Sequence, residues 1–82
     1  MAVESGQGRL RWRCRRGMKE LDLLLEAWLE RGWPLADEAR RQAFDRLLDQ
    51  PDPQLAAWLI GGERPGDDAL DRLIDEIVRI RH

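Results

Sequence analysis

The residues best suited to recognition chemistry lie near the amino end of the chain, where Arg16, Gly17 and Glu20 form the pattern Arg-Gly-x-x-Glu. This pattern provides a fixed positive charge, a negative charge and a bare backbone that another molecule can approach closely. A glycine within a helical pattern costs about 1 kcal/mol relative to alanine, so its presence needs a backbone or contact reason. No nucleophile with a usable base accompanies these residues, so the pattern favours docking to a macromolecule over catalysis.

The other reactive side chains also argue against an enzyme. The single histidine, His82, is the last residue and is expected to be frayed, and the single cysteine is Cys14. We interpret Cys14 as a small buried apolar side chain, although neighbouring arginines would lower its pKa if it were a reactive thiol. The scattered carboxylates lack metal-ligand spacing, and the sequence has no glycine-rich phosphate loop after a strand. We therefore predict no catalytic residue, no metal and no stably bound cofactor.

Length and composition predict one small domain. The chain has 82 residues, of which 43% are hydrophobic and 37% charged, as in globular proteins. No apolar run approaches the roughly 18 residues of a membrane span, and the amino end lacks a signal-peptide core. We expect a bacterial cytoplasmic protein that does not insert into membranes.

Charge is unevenly distributed along the chain. Residues 1–20 carry six basic and two acidic side chains, whereas the remainder carries eight basic and fourteen acidic ones. A basic end on an acidic body is typical of a surface that attracts an anionic partner.

Apolar periodicity predicts an all-α fold, a compact bundle of five short helices over residues 8–82, preceded by a flexible tail over residues 1–7. Residues 9–15 fit either a strand or a helix, because arginine alternates with other residues while Leu10, Cys14 and Met18 also share a helical face. We choose the helix because a lone strand would have no pairing partner. The clearest helix covers residues 21–31 and is ended by Gly32 and Pro34.

Three further helices follow from capping and turn signals. The third runs from about Asp37 to Leu48, and Asp52 is the predicted N-cap of the fourth, with Pro53 at its first helical position. Asp67 or Asp68 is expected to cap the fifth. The predicted core residues, including Ala39 on the third helix, are Leu21, Leu24, Leu25, Trp28, Leu29, Ala39, Ala43, Phe44, Leu47, Leu48, Leu55, Trp58, Leu59, Ile60, Leu70, Leu73, Ile74, Ile77 and Val78.

Two tryptophans and one arginine pair need separate interpretation. Trp12 suits partner contact nearly as well as core packing, and Trp33 lies in a predicted loop where it would cover the edge of the core. Arg40 and Arg41 are expected on the solvated face of the third helix.

The arginines of residues 9–16 also suggest a second class of function. Interleaved with Trp12, they would bind phosphates while the indole stacks on a base. The whole chain is acidic, with a pI of about 5.4, so most of the molecule would repel a polyanion. A small helical adaptor for nucleic acid or another anionic partner is therefore the alternative, and our prediction is that no nucleic acid is bound.

Two blocks of the sequence carry a family resemblance. The first is Arg11-Trp12-Arg13-Cys14-Arg15-Arg16-Gly17-Met18-Lys19-Glu20-Leu21-Asp22, and the second combines Leu47-Leu48, Asp52-Pro53-Gln54-Leu55 and Trp58-Leu59. Together they resemble the succinate dehydrogenase FAD assembly factors (the SdhE type), over about residues 8–80. Arg-Gly-x-x-Glu alone is a weak motif, but the combination is specific.

The resemblance implies a function for the chain. Members of this family bind the flavoprotein subunit of succinate dehydrogenase, and often that of fumarate reductase, and promote covalent attachment of FAD to a histidine of that subunit. The client supplies the nucleophile, so the factor is not an enzyme and acts on FAD without binding it stably. We expect such a factor to be a monomer when free.

The resemblance also implies a partner-binding surface. Its centre is Arg16, Gly17 and Glu20, and the flanking residues are Arg11, Trp12, Arg15, Met18, Lys19 and Asp22. Arg16 is expected to pair with client carboxylates or polar groups near the dicarboxylate site. Glu20 is expected to hold an arginine or backbone donors there, or to brace Arg16. Without a partner, Arg16 and Glu20 would form only a helical i,i+4 pair, which contributes about 0.2–0.5 kcal/mol.

Overall fold

Five α-helices and one short 3₁₀ turn form the fold. The computed structural model describes residues 2–80, with side chains described for residues 8–80. The helices are α1 (Ala2–Arg13), α2 (Lys19–Arg31), α3 (Glu38–Leu48), α4 (Asp52–Leu59) and α5 (Asp68–Ile80). Within residues 2–80 there is no strand, so the all-α, five-helix prediction and the choice of a helix near residue 10 are confirmed.

Two predictions concern the ends of the chain. The backbone of α1 is helical from Ala2, but flexibility of residues 1–7 concerns motion and stays a prediction. The predicted fraying of His82 lies outside the described residues.

The core lies where α5 packs against α2 and α3, with α4 covering α2 and α5. Its buried apolar residues are Cys14, Leu21, Leu24, Leu25, Trp28, Leu29, Ala43, Phe44, Leu47, Leu48, Leu55, Trp58, Leu59, Leu70, Leu73, Ile74 and Ile77. The Cα radius of gyration is 11.8 Å, close to the roughly 12 Å expected for a compact chain of this length. The predicted core is thus largely confirmed, but Ala39 and Ile60 are exposed.

An aromatic cluster closes the end of α2. The ring centroids of Trp28 and Phe44 lie 4.6 Å apart, and the Trp33 ring packs edge-on against Trp28 with 6.2 Å between the centroids. Trp33 belongs to the 3₁₀ turn Trp33–Leu35 where a loop was predicted, and it covers the core edge as expected. Arg41 is partly buried, because it stacks 4.8 Å from the centroid of the Trp33 ring and donates to the Trp33 carbonyl, whereas Arg40 is exposed.

Helix capping follows the sequence signals with one exception. Asp37 accepts a hydrogen bond from the Arg40 N–H at 2.9 Å, and Asp67 accepts one from the Leu70 N–H at 3.1 Å. Asp52, however, is the first residue of α4 and does not cap it, because the N-cap is Pro51. The Asp52 carboxylate binds an arginine from another part of the chain instead.

Candidate functional site

The Arg-Gly-x-x-Glu pattern spans the turn between α1 and α2. The turn comprises Cys14 to Met18, and the Cys14 side chain is buried beneath it in the core. The Cys14 N–H donates to the Leu10 and Arg11 carbonyls at 3.1 and 3.2 Å, which closes the last turn of α1. The chain then reverses and begins α2 at Lys19.

Gly17 is required by the shape of this turn. Its φ is +89°, in a region where an L side chain is strained. A Cβ built on Gly17 would meet no atom within 4 Å, so the space beside the backbone is open. The glycine thus leaves an exposed stretch of backbone that a partner can approach closely.

Arg16 is the most heavily bonded residue of the turn. Its Nε donates to Asp52 Oδ1 at 2.8 Å, and its Nη2 donates to the Gln50 carbonyl at 2.6 Å. Its Nη1 donates to the carbonyls of Leu48 at 2.8 Å and Arg13 at 3.2 Å. The guanidinium therefore joins the carboxyl ends of α1 and α3 to the first residue of α4. Helix dipoles favour the arginine cation at the two carboxyl ends and the Asp52 anion at the amino end of α4.

The backbone of the turn is held from α2. The Arg16 N–H donates to Asp22 Oδ1 at 2.7 Å, and the Asp22 N–H donates to the Met18 carbonyl at 2.9 Å. Met18 is the N-cap of α2 in an extended conformation and makes no side-chain capping hydrogen bond. Asp22 thus supports the turn from within, while Glu20 lies exposed in the first turn of α2.

Exposed apolar side chains surround the turn. Trp12 is 73% exposed because it lies two residues from both Leu10 and Cys14, which face the core. Met18 is 40% exposed, and Leu23 on α2 is 50% exposed. Among residues 8–80, three of the five exposed large apolar side chains therefore lie within residues 12–23.

Sequence reasoning missed Leu23 and the partner of Arg16. Leu23 lies two residues from Leu21, on the opposite face of α2 from the buried stripe, so its helical position could have revealed it. Asp52 is 36 residues from Arg16, and no periodic or spacing signal links the two positions. Arg15 and Lys19 are exposed as expected of partner-binding residues.

The arginines before the turn do not form one open basic surface. Arg13 pairs with Asp45 at 2.6 Å and with Asp49 at 2.7 Å, which ties α1 to α3. Arg11 lies 3.7 Å from Glu30, a contact between α1 and α2. With Arg16 also engaged, three of the five arginines in residues 9–16 contact carboxylates of this chain. Those contacts weaken the case for a phosphate-binding stripe.

Cys14 has the environment of a structural residue. Burial raises the pKa of its thiol from 9.0 to about 12, and the Glu26 carboxylate adds to the rise. Arg11 and Arg13 act in the opposite direction but do not compensate for the loss of solvation. The interpretation of Cys14 as a buried apolar side chain is confirmed, because a reactive cysteine needs a lowered pKa and access.

The described part of the chain offers neither a metal site nor a membrane span. Within residues 2–80 no group of three or more histidine, cysteine, aspartate or glutamate residues has the arrangement to hold a metal ion. No helix described there is long and apolar enough to cross a membrane. The turn between α1 and α2 remains the feature that best fits a functional site.

Comparisons with known proteins agree with the resemblance carried by the two sequence blocks. A family model described as "Sdh5: Flavinator of succinate dehydrogenase" matches residues 8–81. FAD assembly factor SdhE of Methylococcus capsulatus is 49% identical over 69 residues, covering 84% of this chain and 83% of that protein. The proteins of the same name from Legionella pneumophila (strain Paris) and Coxiella burnetii are 46% and 40% identical over 65 and 72 residues.

These alignments span nearly the whole chain on both sides. The Coxiella alignment covers 88% of each chain, and the Legionella alignment covers 79% of this chain and 82% of that protein. The relatives are named as assembly factors, in agreement with the prediction that the chain is not an enzyme. The chain therefore belongs to the family of succinate dehydrogenase flavinators whose bacterial members are named FAD assembly factor SdhE.

Proposed function

We propose that this chain binds the flavoprotein subunit of succinate dehydrogenase and promotes covalent attachment of FAD to it. The single observation that carries the proposal is the turn at Gly17, whose positive φ leaves an open, exposed backbone between α1 and α2. Membership of the flavinator family supports this choice of client, and the open turn supports this choice of contact surface.

The docking surface, defined as Trp12, Arg15 and Gly17–Glu20 together with Leu23, has the composition of a protein interface. It combines a tryptophan, a methionine and a leucine with charges of both signs, and aromatic residues and methionine are enriched at such interfaces. The exposed Gly17 backbone allows a client main chain or side chain to approach more closely than any other residue would. Arg11 and Asp22 lie at its border. Arg11 contacts Glu30 of α2, and the Asp22 carboxylate accepts from the Arg16 N–H of the turn.

The chain would act by stabilising one conformer of its client. Flavin attachment requires the client histidine and the flavin to meet in a reactive geometry, and holding reactants in such a geometry lowers the barrier. A protein that binds the competent conformer more tightly than the others raises its population in proportion to that difference in affinity. The flavin and the nucleophile both belong to the client, so the factor needs no reactive side chain of its own.

Three finer points extend the proposal. The flavoprotein subunit of fumarate reductase is a second client, the free factor is a monomer, and it acts in the cytoplasm of a bacterium. The factor acts on FAD only while FAD is bound to the client and holds no flavin stably itself.

Binding of the purified flavoprotein subunit, measured by titration calorimetry at low and at high salt, tests the proposal. We expect a complex whose affinity falls little with salt, because a docked protein interface with apolar anchors neutralises few charges. A separate titration with a single-stranded oligonucleotide tests the alternative of a nucleic-acid adaptor, since the affinity for phosphates falls steeply with salt. Oligonucleotide binding without binding of the flavoprotein subunit would contradict the proposed function.

A further inference from the structure

We infer that Arg16 and Asp52 are positioning residues, which fix the Gly17 turn for docking while the client contacts other residues of the turn. The inference rests on the proposed function and concerns the same surface. It differs from the expectation that Arg16 itself pairs with client carboxylates.

The guanidinium of Arg16 is already occupied within the chain. Four hydrogen bonds at 2.6–3.2 Å use its three nitrogens, and their acceptors are the Asp52 carboxylate and three backbone carbonyls. The Arg16 side chain is 16% exposed, and that of Asp52 is 39% exposed. A client carboxylate could form a paired contact with this guanidinium only if several of these hydrogen bonds broke.

The location of these bonds explains why they matter for docking. Arg16 directly precedes Gly17, and its side chain anchors that end of the turn to the segment between α3 and α4. Asp22 holds the backbone on both sides of Gly17, because its carboxylate accepts from the Arg16 N–H and its own N–H donates to the Met18 carbonyl. Between these anchors Gly17 has no side chain, and apart from Gly17 and its two chain neighbours no atom of the described residues lies within 4 Å of a built Cβ. The conformation of the exposed backbone therefore depends on the fixing of Arg16.

The loss of an anchor has a definite consequence for binding. If only a fraction of the molecules present the docking conformation, the apparent affinity falls to that fraction of its intrinsic value. Binding of the client would then weaken although the helices remain folded. Direct contact between Arg16 and the client makes the opposite prediction for Asp52, because removal of the Asp52 charge would free the guanidinium for the client.

The test compares Asp52→Asn with Asp75→Asn. Asp75 on α5 pairs with Arg64 of the loop between α4 and α5, so the control removes the carboxylate of an arginine pair that does not involve the Gly17 turn. Client affinity is measured by titration with the flavoprotein subunit, helicity by circular dichroism, and turn mobility by amide exchange at residues 16–18. We expect Asp52→Asn to weaken client binding about tenfold, as for a turn that is competent in one molecule out of ten, and to speed exchange at the turn. Asp75→Asn should change neither.

A second variant keeps the inference testable if Asp52→Asn folds poorly. Arg16→Lys retains the positive charge but lacks the planar fork that reaches the acceptors around Arg16. We expect the same weakened binding and faster exchange, with covalent flavinylation restored to the wild-type level when the variant is in large excess. Faster exchange in the free variant, together with the recovery at excess, attributes the weaker binding to loss of the docking conformation; weaker binding with wild-type exchange would attribute it to a lost client contact and overturn the positioning role.

The possible outcomes separate the two proposals. Wild-type binding together with equal affinities of Asp52→Asn and Asp75→Asn, or tighter binding by Asp52→Asn, would overturn the positioning role and leave the proposed function intact. Failure of the wild-type chain to bind the flavoprotein subunit would overturn both.

Discussion

At the scale of single residues, Gly17 and Gly62 offer a matched pair. Both have positive φ, +89° and +81°, and a Cβ on either would meet nothing within 4 Å. Gly62 lies in the loop between α4 and α5, outside the docking surface. The two glycines therefore share the same backbone strain on substitution and differ in what their surroundings are proposed to bind.

We expect Gly17→Arg and Gly62→Arg to lower the free energy of unfolding by similar amounts, about 1–2 kcal/mol, the cost of placing an L side chain in the left-handed region. Both variants should keep the wild-type helicity. Urea unfolding followed by circular dichroism measures both quantities. Loss of the fold in Gly17→Arg alone would show that Gly17 has a structural role beyond its φ.

Cys14 should give the protein a specific alkaline sensitivity. Its pKa rises from 9.0 to about 12 in the folded state, so the fold favours the neutral thiol. A group with a raised folded pKa contributes its full stability below the unfolded pKa and loses it as pH rises toward the folded value. We expect the free energy of unfolding to fall between pH 9.0 and about pH 12.

The control for this effect is Cys14→Ala, which removes the titrating group. Its unfolding free energy should fall less steeply over the same pH range, although the variant is less stable at neutral pH because a buried sulfur is lost. Parallel pH profiles of the two proteins would contradict the assignment of the alkaline loss to Cys14.

At the scale of elements, exposed leucines distinguish the docking face of α2 from another exposed part of the molecule. Leu23 on α2 is 50% exposed, and Leu35 on the 3₁₀ turn is 86% exposed. We expect Leu23→Lys to weaken binding of the flavoprotein subunit by more than about 1 kcal/mol, as at buried interface anchors, and Leu35→Lys to leave it unchanged. Calorimetric titration of both variants checks this. Equal effects of the two would exclude α2 from the interface.

The end of α2 depends on close contact between a glycine and an indole. A Cβ on Gly32 would overlap Trp28 Nε1, and this indole N–H also donates to Glu76 Oε1 at 2.7 Å. Gly32→Ala should therefore displace a fully buried ring and cost about 1–3 kcal/mol, the usual cost of overpacking. Thermal unfolding measures the effect, with Gly8→Ala in α1 as the control.

Gly8 is a suitable control because a Cβ there would meet nothing within 4 Å, and alanine favours a helix more than glycine does. Gly8→Ala should be at least as stable as the wild type. A destabilisation by Gly8→Ala equal to that by Gly32→Ala would mean that the indole contact is not the cause.

The elements were largely predictable, and the reasons are local. The apolar stripe of α2 and the capping by Asp37 depend on residues three or four positions apart, so they can be identified from sequence alone. Asp52 was predicted as an N-cap, but its carboxylate accepts from Arg16, 36 residues away, and spacing rules do not contain such a contact. Ala39 lies in the first turn of α3, before the buried stripe that begins at Ala43, so extending that stripe to the start of the helix predicted its burial wrongly.

At the scale of the whole molecule, one side chain connects the two sequence blocks that carry the family resemblance. Arg16 belongs to the first block, and its acceptors at Leu48 and Asp52 belong to the second. The sequence identifies both blocks but not the hydrogen bonds by which Arg16 connects them. The site could thus be located from sequence as far as Gly17 and its exposed neighbours, whereas the internal role of Arg16 required the fold.

The central claim is that the turn at Gly17 promotes flavin attachment to a client. The most direct measurement is the covalent flavin content of the succinate dehydrogenase flavoprotein subunit, co-expressed with the wild-type chain, Gly17→Arg or Gly62→Arg and detected by in-gel fluorescence after denaturation. We predict strong fluorescence with the wild type and with Gly62→Arg, and only background with Gly17→Arg. Equal fluorescence with both arginine variants, or no difference between the wild-type chain and its omission, would contradict the account.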